Sequence, residues 1–172
     1  MEKILINIAL YLCRVLYVMP LRLLKFRKVK NYQNLLDVAI WEINILNKFG
    51  NVSMISAPLF SGGVGSFEKN LKILENYTGY LSSEGEIIWS QIPYLDLKLK
   101  RWSKIKVDTS KKIMHFYVPL IKSGTISKLI CAGSIIPNLD FYKDSNGCKT
   151  ERETAIKSGI EIEGRLCLWL HN

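Results

Sequence analysis

Apolar residues run almost without a break from Ile4 to Met19, interrupted by Asn7 and Arg14 and closed by Pro20. The run falls short of the roughly 20 residues that a spanning helix needs. Beyond it come Arg22, Lys25, Arg27, Lys28 and Lys30, not the small-residue cleavage site of a secretory leader. On a helix, Asn7, Tyr11 and Arg14 line one narrow stripe, while Leu5, Ile8, Leu12, Leu16 and Met19 lie elsewhere. Two readings stand: residues 1–30 form an interfacial helix on a membrane surface, or a helix packed against protein. Were the segment to span, its basic flank would leave the rest of the chain in the cytoplasm. From Tyr32 to Phe49 the apolar positions Leu35, Leu36, Ala39, Ile40, Ile43 and Leu46 recur at helical spacing, and Asn47, Gly50 and Asn51 end the element.

From Val52 onward the pattern changes to short apolar runs alternating with helical ones. VSMISAPLF reads as a buried strand, SGGVGS as a loop, and FEKNLKILENYTGYLSSEG as a helix closing at Gly85. EIIWS is a second strand. Gln91–Ser110 is polar and basic, a surface loop or short helix. KKIMHFYVPLIKSG is a mixed stretch, readable as a helix broken at Pro119, with His115 packed between Met114 and Phe116. ISKLICAGSII is a third strand, DSNGCKTERETAIKSG a loop and helix, and IEIEG with RLCLWL supplies one or two closing strands. This order predicts an α/β fold: a flavodoxin- or Rossmann-like three-layer sandwich with a mostly parallel sheet of four to five strands. The expected division is an N-terminal helical extension over 1–50 and the α/β domain over 51–172.

The 172 residues fit one domain. A formal charge of +9 favours partners carrying phosphate or anionic lipid. The basic stretch LKLKRWSKIK could stack Trp102 on a base, but reads more naturally as surface cover, and no nucleic-acid polymer is expected as a partner. Cys13, Cys131, Cys148 and Cys167 form no CxxC pair and do not cluster with His115 or His171, so no metal site is expected. Reduced thiols fit a cytoplasmic protein. No cofactor is implied.

In parallel sheets ligands sit at the carboxyl ends of the strands, and two loops leave those ends. Ser61, Gly62, Gly63, Gly65 and Ser66 lie between a strand and a helix. Backbone amides there suit a phosphate, or the loop is a turn with Ser66 as helix N-cap. In the second loop two glutamates are one residue apart. On a helix starting near Cys148, Glu153 stands four residues from Lys149 and Lys157, a solvent ladder. Glu151 shares a face with Ala155, a small residue suited to close packing on a sheet, and so faces the mouth of the sheet from the first turn. There it is either an ionised carboxylate available as a nucleophile or a partner for the first-turn amides.

The pattern Ser145-x-Gly147-x-x-x-Glu151-x-x-x-Ala155, followed by Gly159 and a strand, resembles the nucleoside 2-deoxyribosyltransferase superfamily. ISAPLFSGGVGS is similar to that superfamily's first strand and substrate loop, and Gly62-Gly63 to the branch that hydrolyses deoxynucleoside 5′-monophosphates. FYVPLIKSGTISKLICAG resembles related phage and bacterial proteins, and the likeness covers about Val52 to Ile162. It implies that Glu151 attacks the anomeric carbon of a (deoxy)ribosyl group. It also implies that Ser61, Gly62, Gly63, Ser145, Gly147 and Asp144 line the nucleoside or nucleotide site, and that the chain forms a homo-oligomer. Members carry an Asp at the start of the third strand, where this chain has Ser127-Lys128; Asp140 or Asp144 could take its place.

Overall fold

The computed structural model describes residues 2–59, 66–95, 109–133 and 145–166. Four strands, β1 (Val52–Ser56), β2 (Ile87–Ile88), β3 (Lys128–Gly133) and β4 (Glu161–Leu166), form one sheet in the order β2-β1-β3-β4. All three pairings are parallel. Among the described residues, helices α4 (Phe67–Ser83), α5 (Thr109–Lys122) and α6 (Asn146–Lys157) lie between successive strands. Ahead of them come α1 (Glu2–Cys13), α2 (Met19–Lys28) and α3 (Tyr32–Leu46).

Every residue of β1 is buried, as expected of a strand covered on both faces. Val52 and Met54 join Leu129 and Cys131 of β3 in a core shared with α3, α5 and Ala155 of α6. The opposite face carries Ile55, Ile88 and Ile130 against Leu74, Tyr77 and Leu81 of α4. The result is the three-layer α/β sandwich that the alternation predicts. Both α4 and α6 stop at a glycine with positive φ, Gly85 (90°) and Gly159 (67°). In each case the next amide, Glu86 or Ile160, reaches back to the carbonyl of Leu81 or Ala155 at 3.0 Å. A side chain at those left-handed positions would be strained.

Helix α5 runs through Pro119 instead of breaking there. Proline removes only the bond to the His115 carbonyl, and His115 is exposed, so water can take that acceptor. The same exposure corrects the expectation of a packed His115. On the α4 face of β3 and β4, beside apolar Ile130 and Ala132, a charge lattice ties the strands together. Lys128 pairs with Glu86 (3.1 Å) and Glu163 (3.0 Å), and Arg165 pairs with Glu86 (2.6 Å) and with Glu163.

Helices α1 and α2 are one continuous rod joined by a wide π-helical turn at Arg14–Val18, in which the Met19 amide bonds the Arg14 carbonyl. Leu10, Arg14, Val18, Arg22 and Phe26 stand four apart, and all are buried or partly buried against the rest of the chain. At about 100° per residue, the sixteen residues from Leu10 to Phe26 would carry this stripe about 160° out of line. The wide turn absorbs one residue and cuts the drift to about 60°. Leu10, Phe26 and Val29 belong to the same core cluster as α3 and the sheet. The described residues before and after position 50 therefore share one hydrophobic core through α3.

Polar ties reinforce the seam. Arg14 donates to the Ile88 carbonyl at 2.7 Å. Arg22 meets Glu42 at 2.9 Å, and the Tyr94 hydroxyl donates to the other Glu42 oxygen at 2.6 Å. Burial raises the Glu42 pKa against the opposing pull of Arg22, and burial likewise lowers that of Arg14 against the pull of Glu42.

Candidate functional site

The chain passes from β1 to β2 on one side of β1 and later returns to β3 on the other. The strand order therefore reverses between β1 and β3, and the carboxyl ends of these two strands are where such a sheet opens a crevice. Ser56 is the last residue of β1, in register with Cys131 of β3. Alternation along β1 turns Val52, Met54 and Ser56 to the α6 side. There the Ser56 hydroxyl donates to Oε2 of Glu151 at 2.5 Å. Both residues are buried, Glu151 retaining 7% exposure.

Ser145 caps α6 by accepting from the Cys148 amide at 3.4 Å, and the helix starts at Asn146. This start is two residues earlier than the sequence suggests, so Glu151 stands on the second turn, not the first. First-turn capping is performed by Ser145, whereas Glu151 is held by a strand residue 95 positions away. Helix-terminus stabilisation fades within one turn, and the hydroxyl of Ser56 holds one oxygen of the carboxylate. Gly147 lies in the first turn, where amides lack intrahelical partners. Lys149, Glu153 and Lys157 are exposed and Ala155 is fully buried, as the spacing indicates; Ser158 is exposed.

Two further ionisable groups sit near this carboxylate. Burial, and secondly the Glu151 charge, push the Cys148 thiol up to about 12, against hydrogen bonds with Ser145 and Ser56. The same two causes hold the Tyr117 phenol of α5 well above its ordinary range. The site is thus a buried carboxylate with one oxygen fixed by a hydroxyl, walled by a neutral thiol and a neutral phenol. Such a carboxylate can attack an electrophilic carbon. Among the described residues no cluster of side chains fit for a metal is present.

Ser61, Gly62, Gly63, Gly65, Trp102, Asp140, Asp144 and His171 lie outside the described residues. Ser66 is the N-cap of α4, accepting from the Lys69 amide at 3.2 Å. Lys128, where the resemblance expects an acid, is committed to Glu86 and Glu163. Neither Ser56 nor Tyr117 was accessible to sequence reasoning. Ser56 sits inside an apolar strand with no motif of its own, and only the sheet register brings it to Glu151. A separate open cleft of about 550 Å³ is lined by Tyr17, Asp37, Trp41 and Lys48 on the outer side of α3, away from Glu151.

No family model matches the chain, and neither a curated protein nor a solved structure matches it.

Proposed function

We propose that the protein is an N-glycosidase or deoxyribosyltransferase acting on a (deoxy)nucleoside or its 5′-monophosphate, with Glu151 as nucleophile. The observation that carries this reading is the buried Ser56–Glu151 pair at the carboxyl end of β1, beside the reversal of strand order. Ser56 orients the carboxylate through Oε2, and the carboxylate attacks C1′. The C1′–N bond breaks as the C1′–O bond forms, and the departing base takes a proton. Water, or a second base, then displaces the ester and returns the carboxylate. The first turn of α6, with the Gly147 amide, is the part of the described site suited to a phosphate or sugar oxygen.

The test is incubation with deoxynucleosides and their 5′-monophosphates, with free base followed by chromatography. Wild type and Glu153→Gln release base, and Glu151→Gln loses at least about a hundredfold in rate, as a lost covalent nucleophile requires. Intact-mass measurement of the wild type with a slow-turnover substrate detects a glycosyl adduct that Glu151→Gln lacks. Release that persists in Glu151→Gln would remove the assignment. Binding of a nucleotide by wild type with no release would instead make the domain a non-catalytic nucleotide-binding module.

A further inference from the structure

The outward face of the α1–α2 rod is open to solvent. Leu5, Ile8, Leu12, Leu16, Leu23 and Leu24 follow each other along it, with exposures from 46% to 71%. Exposed apolar surface in this amount is unusual for a chain whose sheet is fully packed. The segment Leu5–Lys28 is also long and apolar enough to cross a membrane by length and composition. Its attachment argues for another placement. The opposite stripe of the same rod is bound to the domain from Leu10 to Phe26, by Leu10 and Phe26 in the core, Arg14 on the Ile88 carbonyl and Arg22 on Glu42. A rod crossing the bilayer would drag the α/β domain into hydrocarbon or leave buried Glu42 without its guanidinium.

We propose that the rod lies in the plane of an anionic bilayer, its outer leucines embedded and the α/β domain held against the headgroups. Charge selects this occupant. From Lys3 to Lys30 the sequence holds no acidic residue. Arg22 is consumed by Glu42 and Lys25 sits over the Trp41 ring at 4.7 Å, but Arg27, Lys28 and Lys30 are exposed. A second copy docked on this face would meet cations with no acid on the face to oppose them. Anionic headgroups supply the missing charge, and acyl chains cover the leucines. The π-helical turn serves this geometry, since it keeps the bound stripe and the free face each on one side of a rod of more than six turns.

The test is flotation of the full chain with vesicles of phosphatidylcholine, with or without phosphatidylglycerol. The chain floats with the anionic vesicles and about tenfold less with the neutral ones, and high salt weakens the interaction. Leu12→Asp/Leu16→Asp, at two positions on the exposed face, lowers binding at least about tenfold with unchanged circular dichroism. Arg27→Glu/Lys28→Glu also lowers it about tenfold. Alkaline carbonate releases the bound chain. Equal flotation of wild type and Leu12→Asp/Leu16→Asp would overturn the proposal. So would resistance to carbonate, which marks a spanning helix. A lipid-free dimer that Leu12→Asp/Leu16→Asp converts to monomer would likewise overturn it.

Discussion

Replacing Arg22 by methionine keeps the side-chain stem that packs against the domain but removes the charge facing Glu42. In the folded protein Glu42 has 5% of its side chain exposed and Arg22 12%, so the carboxylate left behind is a buried charge. Breaking such a pair costs about 3–5 kcal/mol. The Tyr94 hydrogen bond and the Arg14 charge remain, which places Arg22→Met near the lower figure, about 3 kcal/mol. With a urea dependence of about 2 kcal/mol per molar, the midpoint falls by about 1.5 M at pH 7.5. Burial already raises the Glu42 pKa above its ordinary 4.5, so the folded state holds this proton more tightly than the unfolded chain. The group's contribution is complete below that unfolded value and is lost as pH rises through the folded pKa. Loss of Arg22 raises the folded pKa further. The deficit therefore shrinks on acidification, by up to about 1.4 kcal/mol per pH unit within the window. Urea titrations at pH 7.5 and 5 measure both effects. Arg22→Met/Glu42→Gln, which still offers Tyr94 an acceptor, recovers most of the loss. A deficit below about 1 kcal/mol, or one of equal size at both pH values, would refute the reasoning.

The opposite pH limb belongs to the charge lattice on β3 and β4. For Glu86 burial pushes upward, but hydrogen bonds from Lys128 and Arg165 outweigh it, and for Glu163 the Arg165 hydrogen bond leads; both carboxylates end below their ordinary range. Their stabilisation is present above about pH 4.5 and lost as pH falls through the folded values. It amounts to about 1 kcal/mol or less, because these side chains remain partly in water. Thermal melting between pH 3 and 5 shows this slope in wild type and a flatter one in Lys128→Met/Arg165→Met. Cys148, fully packed and with its thiol pushed up to about 12, resists iodoacetamide at pH 8.5 in the native protein and reacts on unfolding, whereas partly exposed Cys13 reacts first. Peptide mapping after timed alkylation checks the order, and native labelling of Cys148 would contradict its burial.

Much of the sandwich was legible in the sequence for a simple reason. A strand covered on both faces carries only apolar or small uncharged residues, as VSMIS does, and a helix between such strands must carry one apolar stripe and a stop, as α4 does with Leu74, Leu81 and Gly85. The burial of Glu151 and exposure of Glu153 could be read from helical spacing alone. What periodicity does not encode is a partner distant in sequence. Ser56 reaches Glu151 only through the strand register, and Glu42, a charge on the apolar stripe of α3, makes sense only once Arg22 and Tyr94 are brought to it. The helix start at Asn146 is hidden in the sequence because Ser145 caps it ahead of a glycine, a weak helix former.

The wide turn at Arg14–Val18 can be read as a one-residue insertion that the helix has absorbed rather than expelled. Its consequence is an asymmetry in what the segment tolerates over time. Point substitutions among the outer leucines leave the backbone phase untouched. Loss of one residue from the turn would restore a regular helix with the phase kept, whereas one further residue, left unabsorbed, would rotate everything before it by about 100°. Leu10 would leave the core, and the ties that hold the rod would no longer line up. The stretch therefore tolerates shortening by one residue better than lengthening by one.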